Sequence, residues 1–349
     1  MLLLKIDRAT GQIEWTRQVG SASTLRGAPG TYRGHQKFHD NHNLATPSPV
    51  SDGQLVVVHF GNGDLAAYDF AGKELWKRNL QDDHGEYTIW WGHANSPVLY
   101  GNLVISICIQ DSCSDVQDKP AESYVVAHDK QTGELRWKTL RMTPAVGEPC
   151  DAYTTPIFRQ SGGRTEMIVM GGQLLDAYDP ASGSRLWEMA GLQGNRVIPS
   201  PVAADGMIFA IQGMRMPLLA IKPGGDGRRS ADDVVWEFGQ GTSDSPSPLV
   251  SGDLLWMLNN QGIVVCFDAR TGNQHWKERL PGEYRASPVL ADGRVYFLNM
   301  QGLATVVRAS AQFERLAENQ LDDKTIASPA VSGGKIFIRG YDGLYCIGK

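Results

Sequence analysis

Histidines that could bind a divalent metal ion are concentrated in the first third of the 349-residue chain. Imidazole nitrogens are common ligands for zinc and related ions. The stretch "HDNH" places His39 and His42 three residues apart, and His93 could supply a third ligand. The alternative is a polar loop in which histidines make hydrogen bonds, since no fixed ligand spacing is present. A divalent metal at His39, His42 and His93 is therefore one of two hypotheses.

Two further sets of residues are candidates for ligand binding. Trp90 and Trp91 could stack on a sugar or an aromatic group, or they could pack a long loop. Polar residues that precede each Ser-Pro or Thr-Pro pair could line a funnel for a small polar ligand, or only solvate a channel. The candidate funnel comprises His42, Asn43, Trp90, Trp91, His93, Asn95, Asp151, Tyr153, Arg196, Asp244, Tyr284 and Arg285.

The five cysteines form neither a Cys-x-x-Cys pair nor an evident disulfide framework. Cys113 and Cys150 fall in loops that the repeat pattern places on one face. We expect that they could form a disulfide, which would fit an oxidising compartment.

Several classes of function are excluded or left unsupported by the sequence. A net charge of -5 without any Lys/Arg run gives no indication of a nucleic-acid surface. The longest apolar runs are too short for a transmembrane segment, and "MLLLKIDRATG" is not a signal peptide. The sequence has no Gly-x-Ser-x-Gly elbow, His-Glu-x-x-His pair or phosphate-binding glycine loop.

These candidate residues must be positioned by a repeated structural unit. The phrase "DKQTGELRWKT" from Asp129 has near-copies that begin at Asp7, Asp69, Asp179 and Asp268. The aspartate can accept hydrogen bonds from backbone N–H groups of a turn, and the glycine can adopt a positive φ. The tryptophan four residues later falls on the next strand, where it could cover the gap between neighbouring units. We expect Trp236 to do the same after a longer turn, and Phe313 to be its weaker substitute in the next unit.

A second phrase, Ser-Pro or Thr-Pro, begins seven units at intervals of about 40–60 residues. These pairs begin at Ser48, Ser96, Thr155, Ser200, Ser247, Ser287 and Ser328. Four short segments rich in β-branched and aromatic residues follow each of the first six pairs, and proline suits the first residue of a strand. Four antiparallel strands per unit predict an all-β protein, a β-propeller of four-stranded antiparallel blades.

The number of blades depends on how the two ends of the chain are counted. The last unit, from Ser328, stops after its third strand, and the N-terminal segment supplies a third and a fourth strand. Counting both gives the eight-bladed type with an incomplete first blade, an N-terminally truncated chain and a single domain over 1–349. In this interpretation residues 1–20 are the partial first blade and 48–349 are seven further repeat units. Seven blades is the alternative.

The irregular segments nearly all belong to the second-to-third turns and the connections between blades, which lie on one face. Most come from residues 20–155, and non-repeating loops on a rigid scaffold are where function usually lies. We expect this face to be the binding surface.

The repeated "LxAxDxxTGxxxW" with intervening "SPV…DG" resembles the pyrroloquinoline-quinone (PQQ) type propeller repeat. That repeat is shared by quinoprotein alcohol dehydrogenases and by the assembly lipoprotein BamB. The resemblance covers essentially the whole chain and implies a periplasmic or otherwise exported protein. It does not imply the cofactor, because the quinoprotein enzymes hold PQQ against a disulfide between adjacent cysteines, and this chain has no Cys-Cys pair. We therefore expect no PQQ.

The combined expectation is a non-catalytic binding or assembly scaffold of the cell envelope. Its partner would be a protein or peptide, for which strand addition at an exposed blade edge is one expected mode of binding, with a small polar ligand or sugar as another option. The alternative is a metal- or quinone-dependent oxidoreductase, or a carbohydrate-active enzyme, that uses the axial funnel.

Overall fold

Antiparallel strands make up nearly all the regular structure of the computed structural model, which describes residues 1–21, 42–110, 121–222 and 224–348. The chain divides into two compact bodies. The first body comprises Met1–Arg196 with Asp226–Arg228, and the second comprises Val197–Gly225 with Arg229–Lys349.

The first body contains an N-terminal hairpin and three blades, each an antiparallel sheet. The hairpin is β1 (Leu2–Ile6) and β2 (Ile13–Gln18). Blade 1 is β3 (Val50–Ser51), β4 (Leu55–His59), β5 (Asp64–Asp69) and β6 (Glu74–Asn79), and it is followed by helix α1 (Leu80–His84). Blade 2 is β7 (Val98–Tyr100), β8 (Leu103–Cys108), β9 (Tyr124–Asp129) and β10 (Leu135–Leu140). Blade 3 is β11 (Ile157–Ser161), β12 (Arg164–Gly171), β13 (Leu174–Tyr178) and β14 (Arg185–Ala190), with β18 (Gly227–Arg229) at its edge.

The second body contains four further sheets of the same pattern. Blade 4 is β15 (Val202–Ala204), β16 (Met207–Ile211), β17 (Leu218–Ile221) and β19 (Val234–Phe238). Blade 5 is β20 (Leu249–Ser251), β21 (Leu254–Leu258), β22 (Ile263–Asp268) and β23 (Gln274–Arg279). Blade 6 is β24 (Val289–Ala291), β25 (Arg294–Leu298), β26 (Leu303–Arg308) and β27 (Arg315–Gln320). Blade 7 is β28 (Ala330–Ser332), β29 (Lys335–Arg339) and β30 (Leu344–Ile347).

Each blade begins immediately after the proline of its Ser-Pro or Thr-Pro pair, one residue later than the sequence predicts. Proline has no N–H to donate to a neighbouring strand, so the pairing starts with the next residue. The serine before the proline has a role that the sequence did not indicate. The Ser48 amide donates to Ser96 Oγ at 2.9 Å, and Ser247 donates to Ser287 Oγ at 3.0 Å, so these serines join successive blades.

Where the repeated aspartate, glycine and tryptophan occur, they close the blade and connect it to its neighbour. The Asp129 carboxylate accepts hydrogen bonds from the amides of Gln131 and Thr132 in the turn, and Gly133 has a φ of +73°. The Trp76 indole of the preceding blade donates to Lys130 O at 2.9 Å in the same turn. The predicted turn geometry and the predicted cover between neighbouring units are therefore both confirmed.

The same indole contact recurs in both bodies. Trp15 donates to Phe70 O at 3.2 Å, and Trp236 donates to Ala269 O at 3.0 Å after its longer turn. Trp187 differs, because its Nε1 donates to Glu166 within its own blade. The prediction for Phe313 is wrong: strand register places Ala317 at the tryptophan position, opposite Val306. Phe313 instead lies in the turn and packs on Trp276, with ring centroids 5.2 Å apart.

The predicted fold class, an all-β β-propeller of four-stranded antiparallel blades, is confirmed. Seven sheets carry the Ser/Thr-Pro repeat, and the last has three strands, as expected. The hairpin of β1 and β2 supplies the predicted third and fourth strands, so the count of eight depends on treating it as part of a further blade. Within the described ranges α1 is the one α-helix, and no helix has the length and apolar character needed to cross a membrane.

Replacing Gly133 with alanine should destabilise the fold by more than the same change at Gly53. Both residues have a positive φ, which costs about 1 kcal/mol for alanine. A Cβ at Gly133 would lie 2.6 Å from Trp76 Cδ2, whereas one at Gly53 would have no neighbour within 4 Å. Overpacking adds roughly 1–3 kcal/mol.

Denaturant unfolding of the two variants measures this difference. We expect Gly53→Ala to lower the free energy of unfolding only by the backbone cost. Gly133→Ala should lower it clearly more, because the added Cβ also meets the indole. Equal losses would show that the indole does not press on the turn.

Candidate functional site

Connections between blades of the first body form the surface that the sequence predicts to be functional. The segment 141–150 links β10 to blade 3 and begins at Arg141, which is fully buried. Arg141 Nη2 lies 3.0 Å from Asp176 Oδ1, and the guanidinium also donates to the carbonyls of Gly171 and Leu174. A buried guanidinium must be paired in this way, because leaving it unpaired would be very costly. The base of the connection is therefore fixed to blade 3.

The exposed part of this segment is apolar. Met142 is 77% exposed and Val146 is 76% exposed, and these are the most exposed large apolar side chains among the described residues. The segment ends in a 3-10 turn at Glu148–Cys150. A firmly anchored segment thus presents two apolar side chains to solvent.

Glu148 is the polar centre of the same surface. Its carboxylate accepts a hydrogen bond from Asn195 Nδ2 at 2.8 Å, and Trp91 Nε1 lies 3.4 Å from its Oε1. Arg196 Nη1 is 3.5 Å from Glu148 Oε1 and forms an ion pair with it. Glu148 thereby joins residues of three connections.

The segment before blade 2 is held against the segment before blade 3. Asp151 is buried and accepts a hydrogen bond from the Trp90 amide at 2.9 Å. Asn95 Nδ2 donates to the carbonyls of Ala152 and Thr154 at 3.0 and 2.7 Å. Trp90 and Trp91 are partly buried and meet edge to face, with ring centroids 6.2 Å apart. Both indoles therefore take part in packing this surface.

A buried group of aromatic and imidazole rings lies beneath these segments. Tyr87 stacks on His93 with centroids 4.6 Å apart, and His59 lies 4.6 Å from His93 on a tilted plane. Tyr87 also packs in the apolar core of blades 1 and 2, and its hydroxyl is 3.2 Å from His59 Nε2. Burial lowers the pKa of His93 to about 4 and lowers the pKa of His59 well below its ordinary value. These histidines are neutral at physiological pH.

The predicted histidine metal ligands face carbonyl oxygens where the structure describes them. His42 Nε2 lies 3.0 Å from His93 O, and His93 Nε2 lies 3.1 Å from Ile107 O. His39 lies outside the described residues, as does Cys113 of the predicted pair with the buried Cys150. The metal site at His39, His42 and His93 and the disulfide remain predictions.

The remaining funnel candidates occupy a range of environments. Asn43 is exposed and caps its own turn by accepting a hydrogen bond from the Ala45 amide at 2.8 Å. Burial raises the pKa of Tyr153, a half-buried residue that packs against the core of blades 1 and 2. The first body contains nine of the candidates. They are His42, Asn43, Trp90, Trp91, His93, Asn95, Asp151, Tyr153 and Arg196.

The second body holds the other three candidates. Arg285 Nη1 lies 4.0 Å from Asp244 Oδ2 and 3.2 Å from Ser245 Oγ. Tyr284 is fully buried in the apolar core, where its hydroxyl donates to Pro281 O. Burial raises the pKa of Tyr284 to about 12.

The residues do not fit the PQQ site of the quinoprotein enzymes. That site needs two adjacent cysteines, whereas Cys108 and Cys266 are separately buried in the cores of different blades and no Cys-Cys pair occurs. We assign no chemistry through a quinone.

Sequence reasoning missed Arg141, Glu148 and Asp176. Arg141 directly follows a regular fourth strand, and Asp176 lies within a third strand where most repeats have apolar residues. The sequence signal that could have revealed this pair was Asp176, a charged residue in a strand whose other residues are apolar.

A family model described as "Outer membrane protein assembly factor BamB" matches residues 2–117 and 121–349. The chain is 23% identical over 346 residues to the outer membrane protein assembly factor BamB of Bordetella pertussis, covering 94% of this chain and 74% of that protein. It is 22% identical over 354 residues to the protein of the same name from Burkholderia pseudomallei, covering 97% and 77%.

Solved structures show the same fold. BamB from Moraxella catarrhalis superposes with a TM-score of 0.62 at 15% identity, covering 96% of this chain and 88% of that one. The quinohemoprotein alcohol dehydrogenase of Comamonas testosteroni gives a TM-score of 0.63 at 13% identity, with coverages of 97% and 67%. An assembly factor and an enzyme share this fold, so the fold alone does not determine the function.

The buried His93 should make stability depend on pH. Its pKa is about 4 in the folded protein and near the ordinary 6.5 when unfolded. Above pH 6.5 both states are neutral at this residue. As the pH falls from 6.5 to 4, the unfolded chain takes up a proton that the folded protein excludes, so the free energy of unfolding decreases by about 1 kcal/mol per pH unit.

Urea unfolding between pH 7 and pH 4 measures this slope. His93→Gln should reduce the slope by the contribution of about one proton. His275→Gln, at an exposed position, should leave the slope unchanged. An identical slope in wild type and His93→Gln would contradict the assignment.

Proposed function

The chain belongs to the outer membrane protein assembly factor BamB family, and from this premise we propose that it is a non-catalytic scaffold in outer-membrane protein assembly. It would act in the cell envelope, on the periplasmic side, by binding a protein or peptide partner. The match spans almost the whole chain, including the segments that connect the blades of the first body.

The observation that carries the proposal is the exposed apolar part of the 141–150 segment. Met142 and Val146 are more than three-quarters exposed, although Arg141 fixes the same segment to a buried carboxylate. Large apolar side chains on an ordered surface favour contact with another protein, because the contact would remove them from water. Little conformational entropy would be lost, since the segment is already anchored.

Polar groups beside this apolar part can orient a partner. Glu148 and Arg196 form a partly exposed ion pair, and Trp91 lies within reach of Glu148. An apolar centre with a polar rim and an aromatic residue is typical of protein–protein interfaces. We name the set Met142, Val146, Glu148, Trp91 and Arg196 the connection surface.

Complementation tests the proposal in a bacterium that lacks its own factor of this family. The chain, supplied with an export leader, should restore the amount of folded outer-membrane proteins. Met142→Asp/Val146→Asp should fail to restore it, because two charges would be buried against the partner.

The matched control is Phe70→Asp, an exposed apolar residue of the same body in the closing turn of blade 1. That turn lies at the opposite end of the strands from the connection surface, so the variant should complement. All variants must first show wild-type thermal unfolding. Full complementation by Met142→Asp/Val146→Asp, or none by wild type, would refute the proposal.

A further inference from the structure

His128 occupies a position that is aromatic in other blades. It precedes the aspartate that ends β9, and the equivalent residues are Tyr68, Tyr178 and Phe267. Strand register confirms the equivalence, since His128 pairs with Leu135 as Phe267 pairs with Gln274. Blade 2 therefore has an imidazole where three blades have an aromatic ring, and where blades 4 and 6 have the aliphatic Ile221 and Val307.

The His128 ring is buried without hydrogen bonds. The residue is 0% exposed, and neither Nδ1 nor Nε2 has a hydrogen-bond partner. Buried polar groups are nearly always paired, because an unpaired one costs free energy. Both nitrogens of the ring are therefore available to a ligand.

Helix α1 places two further donor groups at the same point. His84 lies with its ring centroid 6.1 Å from that of His128, and its Nε2 is also buried without a hydrogen-bond partner. The ligand atoms of Asp83, His84 and His128 all lie within 4.8 Å of one another. Asp83 is exposed and His84 partly so, which leaves an approach from solvent.

We propose that Asp83, His84 and His128 bind one divalent transition-metal ion of the zinc class. Two imidazoles and a carboxylate suit zinc, with bonds of about 2.0–2.2 Å and water as a fourth ligand. The ligand atoms must approach one another by small side-chain rotations, which Asp83 and His84 can make because they face solvent. The ion would link α1, which follows blade 1, to β9 of blade 2.

Neighbouring charges set the strength of this site. Arg78 Nε lies 2.8 Å from Asp83 Oδ2, and Lys138 Nζ pairs with Glu122 at 3.2 Å near the Tyr124 ring. Both cations weaken metal binding, because they repel the positively charged metal ion. The Asp83 carboxylate has two oxygens with several acceptor sites, so it can hold Arg78 and a metal together.

Zinc titration of the full-length, chelator-treated protein by isothermal calorimetry tests the proposal. Wild type should bind Zn²⁺ at this site, and His128→Phe should weaken the affinity at least about tenfold. Phenylalanine is the residue that blade 5 has at the equivalent position, Phe267, so the packing should be retained. Asp83→Asn, at an exposed position, is the second variant and should also weaken binding.

His275→Gln removes an exposed histidine and is the control that should bind like wild type. Zn²⁺ should also raise the thermal unfolding midpoint of wild type but not that of His128→Phe. The proposal is overturned if wild type binds no Zn²⁺, or if His128→Phe and Asp83→Asn both retain wild-type affinity. The test is independent of outer-membrane assembly, because it needs only the purified protein.

Discussion

The contact between a tryptophan indole and the closing turn of the next blade is the interaction on which the rest of the structure depends. The turn needs glycine for two reasons at once: its φ is positive, and the indole leaves no room for a Cβ. At Gly183 an added Cβ would lie 2.4 Å from the Trp137 ring, and at Gly272 it would lie 2.6 Å from Trp236. Aspartate, glycine and tryptophan therefore recur together because, where the pattern is kept, one blade supplies the indole and the next supplies the turn that receives it.

This regular packing leaves the other ends of the strands free to vary. The closing turns are occupied by contacts between blades, whereas the connections carry the irregular segments. Arg141 shows how such a segment is kept ordered, through a fully buried ion pair with Asp176. Tyr178 strengthens that pair by donating to Asp176 Oδ2 at 2.7 Å. Exposed apolar residues can then project from a fixed base, which is what a binding surface requires.

The sequence was sufficient to predict the strands, the closing turns and the blade pattern, because repetition makes each position visible several times. It was less informative where a blade departs from the pattern. Phe313 was expected to replace the tryptophan as the aromatic residue of its unit, but the turn before β27 differs in length and the strand register places Ala317 there. Trp187 fits the spacing yet bonds within its own blade, because Glu166 offers a buried acceptor.

The candidate site was predicted only in part, for a similar reason. The sequence identified which segments are irregular and included Trp91, Asp151 and Arg196 among the candidates. It did not identify Glu148, whose importance comes from three segments that are distant in sequence. His128 could have been noticed, since a comparison among the repeats shows a histidine where three blades have tyrosine or phenylalanine and two have isoleucine or valine. Its two unpaired nitrogens became evident only in the folded structure.

A double-mutant cycle between Trp76 and Gly133 tests the central claim most directly. The free energy of unfolding is measured for wild type, Trp76→Leu, Gly133→Ala and the double variant. If the indole presses on the turn, Gly133→Ala should cost clearly less in the Trp76→Leu background, with a coupling of about 1 kcal/mol or more. Strictly additive effects would contradict the account, because they would mean that the two residues stabilise their blades independently.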